Sequence, residues 1–197
     1  MNYSAETEKL IAELKASGKK PKLLLHCCCA PCASACIEYL APHFELTAFY
    51  YNPNITRAEE YAKRRDELKR LCGIYGVEMK DAGYDGELFL ERTRGLENEP
   101  ERGRRCRICF FLRLGTTARE AAAGGYDYFA TTLTLSPLKD AAVINSVGDE
   151  MAEIFGSKYL RSDFKKKDGY KRSLELSREY GLYRQNYCGC VYSERKN

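Results

Sequence analysis

An α/β domain with a mostly parallel sheet covered by helices is the fold class this sequence predicts, and two observations predict it. Short runs of leucine, β-branched and aromatic residues alternate along the chain with longer stretches of helical periodicity, the order that builds parallel strands joined by crossover helices. The length of 197 residues matches a single domain around one core, because chains of about 100–200 residues seldom divide.

The elements follow in order. Residues 5–16 read as an amphipathic helix, and Lys22–His26 (KLLLH) as a short buried strand that runs straight into cysteines. Pro31 suits the first helical position, where no amide donor is needed. Residues 44–51 (FELTAFYY) form a second strand, closed by the turn residues Asn52, Pro53 and Asn54. Thr56 with Glu59 makes a capping box for a helix whose inner face is Tyr61, Leu68, Leu71, Cys72 and Tyr75. Residues 77–79 are a third strand, and 81–105 an irregular, doubly charged excursion around a short helix. Ile108, Phe111, Leu112, Gly115, Ala118 and Ala122 mark a helix ending at Gly124 and Gly125, with Cys106 and Cys109 in its first turn. Residues 128–135 read as a strand. Ser136 caps and Pro137 opens the next helix, with Ile144, Val147, Met151 and Ile154 inward, before a last strand at Tyr159 and Leu160 and a helix over 170–180.

Composition excludes whole classes of function. Hydrophobic residues at 44% and charged residues at 30% fit neither a disordered polyelectrolyte nor a membrane-embedded chain. Residues 1–20 mix charges of both signs without an apolar core, so no secretory signal is read there. The longest uncharged stretch, 23–37, is broken by Pro31 and five cysteines, too short for a membrane span. The sequence therefore predicts a cytoplasmic chain with no membrane partner. In a reducing compartment ten cysteines point to metal binding or redox chemistry rather than to structural disulfides. No G-x-G-x-x-G and no Walker A sequence occurs, so no nucleotide cofactor is indicated.

Cys27, Cys28, Cys29, Cys32 and Cys36 sit at a strand-to-helix turn, and Cys106 and Cys109 form a C-x-x-C at another helix start. Helix N-termini stabilise thiolates, and two cysteines from each segment supply the four donors that a structural zinc or a 4Fe-4S cluster requires. Cys27, Cys36 and Cys72 fit as small apolar fillers. Cys32 could reach a metal, contact substrate or pack. His26 and His43 read as structural. Cys188 and Cys190 form a C-x-C whose disulfide would close a very small ring, the mark of an exchangeable two-electron store; a second pair of metal ligands or two idle thiols fit the same residues.

The net charge of +4 is unevenly placed. Residues 158–197 hold 11 Lys+Arg against 5 Asp+Glu and six of the fifteen tyrosines. Cations hold phosphates and aromatic faces stack on unpaired bases, so this basic, Tyr-rich segment suits RNA, with Lys165, Lys166 and Lys167 as its densest run. A solvated helix face over packed tyrosines is the competing reading.

Six blocks resemble one known family: HCCCAPC from His26, YYNPNI from Tyr50, RCRICFFLRL from Arg105, TTLTLSPLK from Thr131, DFKKKDGYKRS from Asp163 and LYRQNYCGC from Leu182. Between about residues 22 and 193 the chain is similar to the epoxyqueuosine reductases of the QueH type. The resemblance implies the adenine-nucleotide α-hydrolase-like fold without its phosphate loop, and a single catalytic domain over 1–197. It implies removal of the epoxide oxygen from epoxyqueuosine at the wobble position of tRNA, the last step of queuosine synthesis. It further implies a 4Fe-4S cluster held by Cys28, Cys29, Cys106 and Cys109, and a redox-active pair in Cys188 and Cys190. An additional iron is compatible with it, and an external electron donor is required but not identified. Tyr51, Lys139, Asp140 and Tyr187 adjoin the matched blocks as candidate proton donors. The competing class is a zinc-stabilised RNA-binding module using the same four thiolates. A tRNA sulfur-transfer enzyme of the related nucleotide-binding fold is disfavoured by the missing phosphate loop.

Overall fold

The computed structural model describes residues 2–194. Four strands, β1 (Lys22–His26), β2 (Glu45–Tyr50), β3 (Glu78–Asp81) and β4 (Tyr128–Thr131), form one sheet in the order β3-β2-β1-β4. Every pairing is parallel, with Leu24 opposite both Thr47 and Phe129. Around it lie α1 (Tyr3–Ser17), α2 (Ala30–Leu40), α3 (Ala58–Tyr75), α4 (Gly86–Arg92), α5 (Arg104–Ala123), α6 (Ala141–Phe155) and α7 (Gly169–Glu179).

Central strands of a parallel sheet are covered on both faces, which is why β1 reads as an unbroken apolar run. Its side chains alternate. Leu23 and Leu25 pack with Ala48, Tyr50 and Ala130 beneath α2, α3 and α7, whereas Leu24 joins Phe49, Phe129, Leu114 and Val147 beneath α5 and α6. The chain thus carries a core on each face of one sheet, and the carboxyl ends of β1 and β4 lie side by side at one edge. The segment after residue 158 is part of this body: α7 packs on α2, and Arg172 pairs with Glu38 at 2.7 Å.

Four expectations need correction. The strand foreseen over 128–135 ends at Thr131, where the Thr131 hydroxyl accepts from the Leu133 amide at 3.2 Å and turns 132–135 into a single 3₁₀ turn. The local side-chain bond outcompetes the ladder. The following helix starts at Ala141 rather than at Pro137, because the Asp140 carboxylate accepts from the amides of Ala142 (2.8 Å) and Val143 (3.4 Å), and an anion at a helix start is favoured over a serine hydroxyl. The Thr56–Glu59 capping box does not form. Instead α3 begins without a side-chain cap, and the Thr56 amide donates to the Gly189 carbonyl at 3.3 Å. Tyr159 makes one parallel bridge to Phe129 and no strand follows among the described residues; the backbone N–H and C=O of Ser162 are taken by the two ends of the Asn145 amide on α6.

Candidate active site

The β1 backbone ladder runs one residue past the strand, with the Cys27 amide donating to the Phe49 carbonyl at 2.8 Å. The chain then turns through Cys28, and Cys29 becomes the extended N-cap of α2. This turn gathers the sulfurs of Cys28, Cys29 and Cys32 to within 4.8 Å of one another, with the first two 3.7 Å apart. Thr132, on the 3₁₀ turn after β4, fixes Cys28 twice: its hydroxyl accepts from the Cys28 amide at 3.2 Å and donates to the sulfur at 3.4 Å.

The first turn of α5 faces the same space. The Arg102 amide donates to Cys106 Sγ at 3.3 Å, and Arg113 Nη2 donates to Cys109 Sγ at 3.0 Å. The other arm of Arg113 donates to Asn52 Oδ1 at 3.2 Å, and Asn52 Nδ2 donates to the Cys27 carbonyl at 2.9 Å. One buried chain of contacts therefore ties α5, the turn after β2 and the β1 cysteines.

A third segment closes the space from the carboxyl-terminal side. Arg64, buried on α3, is paired with Glu60 at 2.6 Å and donates to the carbonyls of Cys188 (3.1 Å) and Tyr187 (3.4 Å). Asn54 Nδ2 donates to the same Cys188 carbonyl at 3.1 Å. Gly189 has φ +110, and a Cβ there would lie 2.8 Å from Ile55, so both backbone shape and space demand glycine. The result is a cavity of about 270 Å³ lined by Cys28, Cys29, Cys32, Cys106, Cys109, Cys188 and Cys190. All ten cysteines are free thiols. Cys27, Cys36 and Cys72 lie in the core beneath α2 and α3, as their packing role predicts.

Electrostatics sorts the sulfurs. Hydrogen bonds from Cys29 and Cys32 hold the Cys28 thiol well below its ordinary value, against burial and with help from Lys139; Cys29 is pushed up to about 12, chiefly by that same bond to Cys28. The Cys190 bond likewise lowers Cys188, burial opposes it, and Lys139, Arg113 and Arg64 add to the lowering. Cys28 and Cys188 are therefore the favoured thiolates, whereas burial pushes the Cys109 thiol up to about 11. Arg113 is 1% exposed and, among the described residues, has no carboxylate partner; burial opposes its charge, and the sulfurs of Cys109, Cys188 and Cys28 hold it protonated. Half-buried Lys139 is likewise disfavoured by burial and kept charged by Cys188 and Cys28. A buried cation without an acid needs negative charge nearby, and here sulfur supplies it. An all-sulfur donor set beside two cations that, among the described residues, have no carboxylate partner fits a soft, anionic metal–thiolate centre.

Burial first, and then Arg113, lower His26 to about 4, so it is neutral. Its Nε2 lies 3.1 Å from the Tyr51 carbonyl and its Nδ1 2.9 Å from the Thr131 hydroxyl, a structural role as expected. Of the candidate proton donors, Lys139, Asp140 and Tyr187 line the cavity, whereas Tyr51 packs in the core beneath α5 and α6. Sequence reasoning passed over Arg64, Arg113, Asn52, Asn54 and Thr132 as site residues. One of these had a usable signal: Arg113 stands four residues after Cys109, on the same helix face.

A sheet of parallel strands with a sulfur-lined cavity at its carboxyl edge, closed by a dithiol loop, defines an α/β protein of thiol and metal chemistry. The model of the family "Epoxyqueuosine reductase QueH" matches residues 23–196, and the chain belongs to that family. It is 39% identical over 201 residues to epoxyqueuosine reductase QueH of Streptococcus pyogenes serotype M1, covering 99% of this chain and 79% of that protein. The Haemophilus influenzae enzyme is 41% identical over 176 residues, covering 88% and 72%. Among solved structures, the U34-tRNA thiolase NcsA from Methanococcus maripaludis with its [4Fe-4S] cluster is similar at a TM-score of 0.57 and 17% identity, over 97% of this chain and 68% of that one, a likeness of fold.

Proposed function

We propose that the protein reduces epoxyqueuosine to queuosine in tRNA, in the cytoplasm, with Cys28, Cys29, Cys106 and Cys109 holding a 4Fe-4S cluster and Cys188 and Cys190 acting as a redox dithiol. The observation that carries this reading is the convergence of a metal-competent sulfur group and a separate C-x-C on one cavity. Removing an epoxide oxygen breaks two C–O bonds, forms a C=C bond and releases water, which consumes two electrons and two protons. Joining Cys188 and Cys190 in a disulfide releases two electrons and two protons, so the two half-reactions balance. An external reductant then reopens the pair. The cluster, when bound, supplies one-electron transfer and Lewis acidity.

The chain's own groups do the positioning. Arg64 and Asn54 hold the Cys188 backbone. Lys139 stands where its charge steadies the thiolates of both Cys28 and Cys188. Cys32, the third sulfur of the Cys28–Cys29–Cys32 group, is the donor an additional iron would use. The test is turnover of epoxyqueuosine-bearing tRNA by anaerobically reconstituted protein, with metal analysis and a visible spectrum. A brown protein containing iron and sulfide that forms queuosine supports the reading. A colourless zinc protein that binds RNA without turnover overturns it.

A further inference from the structure

The lysine run that composition marks for RNA lies away from the sulfur cavity and is largely neutralised. Lys165 pairs with Asp163 at 2.7 Å, Lys167 pairs with Glu8, and Arg172 pairs with Glu38 and Glu175 at 2.7 and 3.1 Å. Lys166 and Lys167 line a different hollow, between α1, α2 and the start of α7, together with the acids Glu8, Glu38 and Asp163. Cations that already face carboxylates offer phosphates little.

The mouth of the sulfur cavity differs. Arg102, Lys139 and Arg184 line it, and among the described residues no acidic side chain pairs with any of them. Arg102 uses Nε on the Leu138 carbonyl at 2.9 Å, which ties the loop before α5 to the 136–140 turn and leaves both terminal nitrogens free. Arg184, across the cavity, spends one nitrogen on Ser177 at 3.1 Å. Two acids share the rim: Asp140 is engaged in capping α6, and Glu101 is exposed. Next to Lys139 in the chain, with its carbonyl held by Arg102, Leu138 is 60% exposed, an apolar side chain lining a cavity of about 270 Å³. The sulfurs of this cavity are buried or half-buried, so a reacting base must leave its stack to reach them.

We propose that the tRNA anticodon loop docks across this mouth, with Arg102 and Arg184 on its phosphates and Leu138 wedged against the neighbouring bases as the wobble nucleoside swings inward. The surface rests on the reading of tRNA as substrate. Phosphate contacts contribute affinity that falls with salt, while an apolar wedge holds a base step open.

The test measures binding of an anticodon stem-loop to the anaerobically reconstituted protein by fluorescence anisotropy across a salt series, beside turnover of the full tRNA. Arg102→Ala with Arg184→Ala should weaken binding about tenfold and reduce the log–log salt slope by about 1.4, the share of two single-strand phosphate contacts. Alanine at Lys165, Lys166 and Lys167 together should change binding less than about twofold. Leu138→Ala should keep binding within about threefold and cut turnover about tenfold, with the visible spectrum unchanged. Should the triple lysine variant lose binding while the double arginine variant keeps it, the surface is wrong. Arg184→Ala alone guards against disturbance of the loop that Arg102 holds: it should weaken binding severalfold, and normal binding by both arginine variants overturns the proposal. Turnover by wild type with normal binding by those variants overturns the surface alone; a wild type that binds no tRNA overturns the functional reading with it.

Discussion

Arg113 shows how one side chain can report on a group that is not itself protein. Burying a guanidinium costs several kcal/mol unless an opposite charge and hydrogen bonds answer it, and this one meets a cysteine sulfur at 3.0 Å and an asparagine oxygen at 3.2 Å, with no carboxylate. Nearby cysteine sulfurs answer its charge, and in the proposed centre two of them, Cys28 and Cys109, would be metal ligands. Partners of this kind typically contribute about 10–100-fold to metal affinity. Arg113→Met is therefore expected to lower metal affinity at least about tenfold, read as faster iron loss to a chelator. It is also expected to lower the reduction potential of the centre, because a nearby cation favours the more negative, reduced state. Arg113→Lys should recover part of the potential; wild-type iron retention and potential in Arg113→Met would sever Arg113 from the centre.

Among the elements, α3 is the clamp that holds the segment carrying Cys188 and Cys190. Its Arg64 carries the Cys188 and Tyr187 carbonyls, and one turn further on Glu67 accepts from the Tyr183 amide at 2.8 Å and pairs with Arg70 at 2.9 Å. The Arg70 hydrogen bonds chiefly, then the Tyr183 amide, hold the Glu67 carboxyl below its ordinary value of about 4.5 against the effect of burial. A depressed carboxyl stabilises the folded state above its unfolded value, and that stabilisation is lost as pH falls through the folded one. Glu67→Gln should accordingly cost about 1 kcal/mol at neutral pH and converge on wild type in acid. Hydrogen exchange at the Tyr183 amide is the direct measurement; an equal difference at neutral and acid pH would remove the carboxylate from the account. Such clamps leave little trace in a linear sequence. The helical spacing of Tyr61, Leu68 and Leu71 marked the inner face of α3, but Arg64 falls on that same face, and apolar periodicity has no means to register a buried cation whose partner carbonyls lie more than a hundred positions away. The Asp140 cap was missed for a related reason: Ser136-Pro137 is a strong start signal, and which of two signals wins depends on how the 3₁₀ turn after β4 spends its amides.

At the scale of the whole molecule, the sheet was legible because burial on both faces writes itself as plain apolar runs, in β1 most clearly, and the cysteine groups were legible because their residue type is rare and clustered. Their convergence was not. The cysteines of residues 28–32, 106–109 and 188–190 line one cavity because β1 and β4 are neighbours and because Arg64, Asn54 and the Thr56 amide draw the end of the chain back over the sheet edge. Under the proposed roles, that topology would put metal holding and redox storage on different elements: the first two groups sit at the starts of α2 and α5, the third on an irregular loop bonded to α3. Substitutions in the two parts should therefore fail differently. Cys106→Ser removes one of four proposed thiolates and should abolish the brown chromophore and turnover together. Cys188→Ser leaves those four in place, so iron content and spectrum should match wild type while repeated turnover is lost, because no disulfide can form to supply the electrons. Iron analysis, absorption spectra and turnover of the two variants side by side decide the matter. Loss of iron from Cys188→Ser would move that residue into the metal centre, and a colourless but fully active Cys106→Ser would remove the centre from the reaction.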